Sequence, residues 1–258
     1  MTYKLNVIPS SVNLKDYEAD KLFKAGLSFP NVNDPRKKLL PVRNQGDEGS
    51  CVAEASSAMM EIQESKSPIN FKDYFSPQFV YNLRINQLSK GMQPVDALRI
   101  LSTKGIPPEE AYPYGKIESE FQIPEKVFIE AFKYKIKSYA YISEINELKT
   151  VIYRNGACII TFTVYNKGAS LWKPTDDAND ALGGHAMCIV GWTKVGFIIR
   201  NSWGADWNNG GYTIFPYEDW GMQQEIWAVI TDKISIPEPK YLTLYWRFMK
   251  VIDKITKL

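Results

Sequence analysis

The sequence predicts an α+β protein made of two unlike halves, a helical one followed by a strand-rich one. Three observations carry that prediction. Residues 51 to 135 hold helix-compatible apolar runs punctuated at Pro68, Ser76-Pro77, Gly91, Gly105 and Pro107-Pro108. From Lys135 the texture changes to short β-branched and aromatic runs such as Ala157-Cys158-Ile159-Ile160-Thr161-Phe162-Thr163-Val164. The chain has 258 residues, enough for one large or two small domains and a sizeable core.

Taken in order, residues 1–33 mix short apolar clusters (Leu5, Val7 and Ile8; Leu22 and Phe23) with Pro9, Pro30 and Asn31, and show no sustained period. They form an N-terminal extension. In Gln45-Gly46-Asp47-Glu48-Gly49-Ser50-Cys51-Val52-Ala53 the glycines permit positive φ or a close backbone approach, and Ala53, Ala55, Ala58, Met59 and Ile62 then read as a helix. Ser76-Pro77 is a second helix start, with Ser as the cap and Pro in the first turn. Residues 93–101 are a further helix that ends by Gly105. In the second half, Ile136, Tyr139 and Tyr141 open a strand and residues 144–153 form one helix. Strands follow around His185, Phe197-Ile198-Ile199 and Gly211-Tyr212-Thr213-Ile214-Phe215. Residues 34–135 are thus one lobe and 136–232 the other. Ile236-Pro237-Glu238-Pro239 is a linker. Tyr241 to Leu258 reads as an amphipathic helix with Leu244, Phe248, Val251, Ile252, Ile255 and Leu258 on one face.

The chemistry starts at Cys51, placed where a loop turns into a helix. A thiol there feels the positive end of the helix dipole and unpaired backbone N–H groups, which favour the thiolate. The chain has a single histidine, His185, so any imidazole that activates a cysteine must be this one. Asn201 and Ser202-Trp203 follow at the end of the next short strand. The order Gln45, Cys51, His185, Asn201 places His185 134 residues and Asn201 150 residues beyond the cysteine.

These motifs resemble the papain-like cysteine peptidases, whose Cys, His and Asn follow this order and spacing. The matching stretches are Pro41-Val42-Arg43-Asn44-Gln45-Gly46, Gly49-Ser50-Cys51, Gly105-Ile106 with Ala111-Tyr112-Pro113-Tyr114, Gly184-His185-Ala186, and Asn201-Ser202-Trp203-Gly204 with Trp207 and Gly210-Gly211-Tyr212. The resemblance implies a papain-like two-lobe α+β fold, with a helical lobe and a β-barrel-like lobe that face each other across a cleft. It implies an endopeptidase in which Cys51 attacks the carbonyl carbon and His185 pairs with the thiolate and protonates the leaving nitrogen. Asn201 would orient His185, and Gln45 would donate to the oxyanion beside the backbone N–H of Cys51. Gly91, Met92, Gly183, Gly184 and Trp203 are expected at the substrate cleft, with Trp203 also covering the His185–Asn201 pair. No cofactor or metal is implied.

Four positions depart from the family pattern: Val52 in place of an aromatic residue, Glu48 in place of a disulfide cysteine, Glu54 in place of an apolar residue, and Ser89-Lys90-Gly91-Met92 where paired glycines are common. Glu54, near the face of Cys51, needs a partner or partial exposure because a buried lone carboxylate is costly. The extension is too short for the family's long inhibitory pro-region. A strap along the surface is the expectation, and a short plug across the cleft the other reading.

Composition narrows the setting. A net charge of +2 gives no sign of a nucleic-acid binder, and the expected partner is a protein or peptide substrate. Three cysteines do not make a disulfide framework. The first twenty residues lack a signal peptide's apolar core, so a host-cell cytoplasmic or virion-associated protein is expected. Lysine outnumbers arginine, as in AT-rich phage and giant-virus genomes. The basic tail, residues 240–258, can dock on a membrane surface or a particle, or pack on its own domain. Two alternatives to the peptidase stay open: a structural or binding component of a phage or viral particle, and a thiol hydrolase or transpeptidase acting on another acyl bond.

Overall fold

The computed structural model describes residues 4–17, 28–67, 70–175 and 180–231. The linker and amphipathic helix expected beyond Thr231 lie outside the described residues. The first lobe contains α1 (Cys51–Lys66), α2 (Pro77–Asn82), α3 (Pro94–Thr103) and α4 (Glu125–Phe132). The second contains β1 (Ile136–Tyr141), α5 (Ile145–Asn155), β2 (Cys158–Val164), β3 (Gly183–Trp192), β4 (Gly196–Arg200), β5 (Tyr212–Pro216) and β6 (Gln223–Thr231). The six strands make one sheet in the order β1-β6-β2-β3-β4-β5, with every pairing antiparallel.

Helix α1 lies between the lobes and packs on α2 and α3 on one side and on β3 on the other. All but three of its residues are buried. This is why it lacks a clean apolar stripe: a helix covered all round has no solvent face to mark with charge. The small residues Ala53, Ala55, Ser56 and Ser57 let neighbours approach its backbone, and the two serines return their hydroxyls to the carbonyls of Val52 and Ala53 at 2.7 and 2.9 Å.

Strand β3 sorts its side chains by alternation. Ala186, Cys188 and Val190 join the core shared with α1, and Met187 and Ile189 join the core behind the sheet. In β1 the expected alternation is interrupted by a register shift between Ile136 and Ser138, so Ile136 and Ala140 are its buried residues. Cys158 and Cys188 are buried and unpaired, as apolar strand residues would be.

Helix α2 starts as its sequence predicts. Ser76, fully buried, accepts from the Phe79 amide at 3.1 Å, and Pro77 occupies the first turn. Ser76→Ala is expected to cost about 1–2 kcal/mol, the usual value of an N-cap, read as a lower urea midpoint with unchanged slope.

Candidate active site

The loop before α1 is shaped by two glycines used in different ways. Gly46 has φ of 58°, a turn conformation that favours glycine. At Gly49 a Cβ would stand 1.8 Å from the Lys90 carbonyl oxygen, so only glycine lets the 89–92 loop lie against this one. Arg43 anchors the start of the loop. Its guanidinium reaches Glu109 at 3.0 Å, Glu54 at 3.5 Å and Glu61 at 3.6 Å, and donates to the Phe75 carbonyl at 2.9 Å. Glu54 therefore has the partner that its burial requires. Burial still dominates over the attraction of Arg43 and raises the Glu54 carboxyl to about 7.

Cys51 is the first residue of α1 and is fully buried. Burial pushes its thiol up, against the opposing pull of backbone groups of Ala186, Asn6, Val52 and Cys51 itself. Burial is the larger of these effects on the thiol. His185, on β3, is also fully buried, and burial brings it down to about 4 against the raising effect of Asn201. Both shifts favour the neutral forms. The Oδ1 atom of Asn201 lies 2.7 Å from His185 Nε2 and also accepts from the Ser202 amide at 2.8 Å. An amide oxygen only accepts, so Nε2 carries the proton and Nδ1 the lone pair. Nδ1 is buried without a hydrogen-bond partner, so no thiol–imidazole hydrogen bond is formed in this state.

Trp203 stacks on the imidazole with ring centroids 4.5 Å apart and an interplanar angle of 26°. It is buried, with its place over the His185 ring. Gln45 is held by Ser202 from two sides: its amide donates to the Ser202 carbonyl at 2.9 Å, and its Oε1 accepts from Ser202 Oγ at 2.7 Å. That leaves the Gln45 side-chain N–H groups for other acceptors. They donate to the Glu48 carbonyl at 2.9 Å and make a longer contact, 3.4 Å, with the carbonyl of Lys4.

Lys4 belongs to the N-terminal extension, and here the surface strap expected from the sequence is corrected. Residues 4–10 run through the cleft. The Val7 amide donates to the Gly184 carbonyl at 2.9 Å. Asn6 accepts from the Met92 amide at 3.2 Å, and Ile8 donates to the Met92 carbonyl at 3.1 Å, which makes a parallel bridge between Val7 and Met92. At Gly183 a Cβ would stand 3.0 Å from Leu5, at Gly184 2.7 Å from the Val7 carbonyl, and at Gly91 2.3 Å from the Asn6 carbonyl. Gly91, Met92, Gly183 and Gly184 therefore form two walls of a groove that already holds a peptide. The surface reading failed because the apolar side chains of residues 5–8 are too few to show a period, yet Val7 reaches the main core.

One residue of this groove went unrecognised in the sequence. Glu225, on β6, is buried, and its two carboxylate oxygens accept from the Ser10 amide at 2.7 Å and the Ser10 hydroxyl at 2.6 Å. One of them also accepts from Trp227 Nε1 at 2.7 Å. No local motif marks it; the only available signal was a charged residue inside an apolar strand run.

A thiol at the head of a helix packed between two lobes, with a buried imidazole–amide pair on the sheet that the helix packs against, is the arrangement of the papain-like fold. The chain belongs to the papain family: the model described as papain family cysteine protease, Peptidase_C1, matches residues 29–229. The groove-filling residues 4–10 precede that span. The chain is 30% identical over 208 residues to a cysteine protease of Blomia tropicalis, covering 72% of this chain and 60% of that protein. It is 32% identical over 210 residues to cathepsin K of Mus musculus, covering 72% and 59%. Among solved structures it is similar to xylellain, a cysteine protease from Xylella fastidiosa, with a TM-score of 0.72, 23% identity, and 90% and 99% of the two chains covered. The chain spans about 60% of the length of these two curated relatives.

The buried neutral imidazole has a consequence for stability. His185 titrates near 4 when folded and near its ordinary value, about 6.5, when unfolded. Between those values the unfolded chain binds more protons. The contribution of His185 is therefore complete above about pH 6.5 and is lost as pH falls toward 4. Urea unfolding at pH 7 and pH 4.5 should show wild type losing on the order of 2 kcal/mol more than His185→Gln, which has no ring to protonate. Equal losses would mean that the ring is not held neutral.

Proposed function

We propose that the chain is a cysteine endopeptidase held in a latent state by its own residues 4–10. The observation that carries this reading is the seating of that segment. A peptide backbone is paired with Gly184 on one wall and Met92 on the other, and one of its carbonyls faces the Gln45 amide beside the first residue of α1. A substrate backbone would use the same donors and acceptors.

The chemistry follows from the groups in place. When the segment leaves, water re-enters, the desolvation penalty on a charged pair falls, and the Cys51 thiol can pass its proton to Nδ1 of His185. The thiolate adds to the scissile carbonyl carbon, and the negative oxygen is met by Gln45 Nε2–H and the backbone N–H of Cys51. Imidazolium then gives its proton from Nδ1 to the leaving amine, and a water deprotonated by the same nitrogen hydrolyses the thioester. Asn201 is a positioning residue: it holds the proton on Nε2 and so keeps Nδ1 on the reacting side. Trp203 keeps water from that bond, which strengthens it. The reading as a purely structural particle component is not favoured by the family match.

The test is covalent labelling by an epoxide inhibitor of thiol peptidases, read by intact and peptide mass. Wild type should label slowly at Cys51, and His185→Ala should not label. Ser10→Ala removes one hydrogen bond to the Glu225 carboxylate and should speed labelling about tenfold, the value of a charge-assisted bond of roughly 1.5 kcal/mol. Equal rates in wild type and Ser10→Ala would exclude the latent state. Peptide cleavage that survives Cys51→Ala would end the peptidase reading itself. Gln45→Ala should lower kcat by about 100-fold or more, as loss of an oxyanion donor does elsewhere.

A further inference from the structure

The Ala111-Tyr112-Pro113-Tyr114 motif has no part in the chemistry above, although its last residue touches the loop that holds both oxyanion donors. The Tyr114 hydroxyl lies 2.9 Å from the Gln45 carbonyl oxygen and 2.7 Å from Ser50 Oγ. A carbonyl only accepts, so Tyr114 donates to Gln45, and its remaining lone pairs take the Ser50 hydroxyl proton. The bonds run in one direction, from Ser50 to Tyr114 to Gln45. One phenol thus grips the loop at Gln45, which carries the side-chain donor, and at Ser50, whose peptide bond to Cys51 carries the backbone donor.

We propose that Tyr114 is a positioning residue for the oxyanion site, setting the relative orientation of the Gln45 side chain and the Cys51 amide through this two-ended clamp.

The surroundings fit a positioning role better than simple packing. Ser50 is the N-cap residue of α1 and is fully buried, yet its side chain makes no cap hydrogen bond. A residue type suited to capping is instead committed to Tyr114. The turn that carries Tyr114 is fixed to the same loop at two more points. The Tyr114 amide donates to Glu109 at 2.8 Å, and the other carboxylate oxygen of Glu109 takes Arg43 at 3.0 Å. The Gly115 amide donates to Gln78 at 2.7 Å, and Gln78 donates to Glu48 at 2.9 Å. Burial, with the Glu54 carboxylate nearby, raises the phenol further and keeps it protonated, as a donor must be. Residues 43, 45, 48 and 50 are therefore registered against one rigid turn. A small rotation of either donor would misdirect its N–H, and misalignment of this kind is expensive because the site acts by preorganisation.

This inference rests on the peptidase reading, and Tyr114→Phe in the full-length chain separates the two. Two rates are compared under conditions in which wild type turns over a peptide substrate. Peptide hydrolysis needs the oxyanion site, whereas alkylation of Cys51 by iodoacetamide forms no oxyanion. The expected result is a fall in kcat of about 10- to 100-fold with KM within about twofold, and an alkylation rate within about twofold of wild type. Unchanged kcat overturns the proposal. So does an equal fall in both rates, which would place the effect on the thiol. Ser50→Ala breaks the other end of the clamp and should reproduce the split, so the test stands even where Tyr114→Phe fails to fold. Absence of turnover in wild type would instead count against the peptidase reading.

Discussion

A helix buried on every side must satisfy its polar groups within the protein, and α1 meets the charge of two of its carboxylates, Glu54 and Glu61, with one guanidinium. Arg43 meets Glu54 and Glu61 from α1 and Glu109 from the turn beyond α3, while its backbone carbonyl takes the Gly204 amide at 2.9 Å. Removing one partner of such a cluster leaves an uncompensated buried charge, a cost of several kcal/mol. The same residue therefore ties the helix that begins at Cys51 to the loop before it and to the segment after Asn201. The groove geometry is a consequence of that knot.

Desolvation is the second organising effect. The extension seated in the cleft brings an Asn6 backbone group to the Cys51 thiol and pairs Val7 with Gly184, the neighbour of His185, and the two buried groups shift in opposite directions. Burial raises the thiol and lowers the imidazole, and both shifts disfavour a charged pair. The single acidic anchor at Glu225, which takes two hydrogen bonds from Ser10, ends the seated segment at its C-terminal side.

Much of the fold was readable in the sequence because its signals are local. Ser76-Pro77 marks a helix start through the first-turn backbone, and Gly46 and Gly49 mark a loop that passes close to another. The texture change at Lys135 falls one residue before β1. The ordered Gln45, Cys51, His185 and Asn201 were readable as candidates for the same reason, since each sits in a short motif with its own chemistry. The burial of the Cys51 thiol was not readable in this way. Helix position is visible in one dimension, but burial, which raises the thiol, is a property of everything packed around Cys51.

The chain's own order of residues determined the two lobes, the helix that begins at Cys51, the strand alternation that sends Ala186 and His185 to opposite faces, and the family. Only the tertiary structure decided that residues 4–10 occupy the groove, that Ser10 meets Glu225 across 215 positions of sequence, and that Tyr114 clamps a loop 69 positions before it. The physical reason is the same in each case. Local propensity and periodicity act within a turn or a strand, whereas these contacts are chosen by the shape and unpaired polar groups of surfaces that exist only once both lobes have formed.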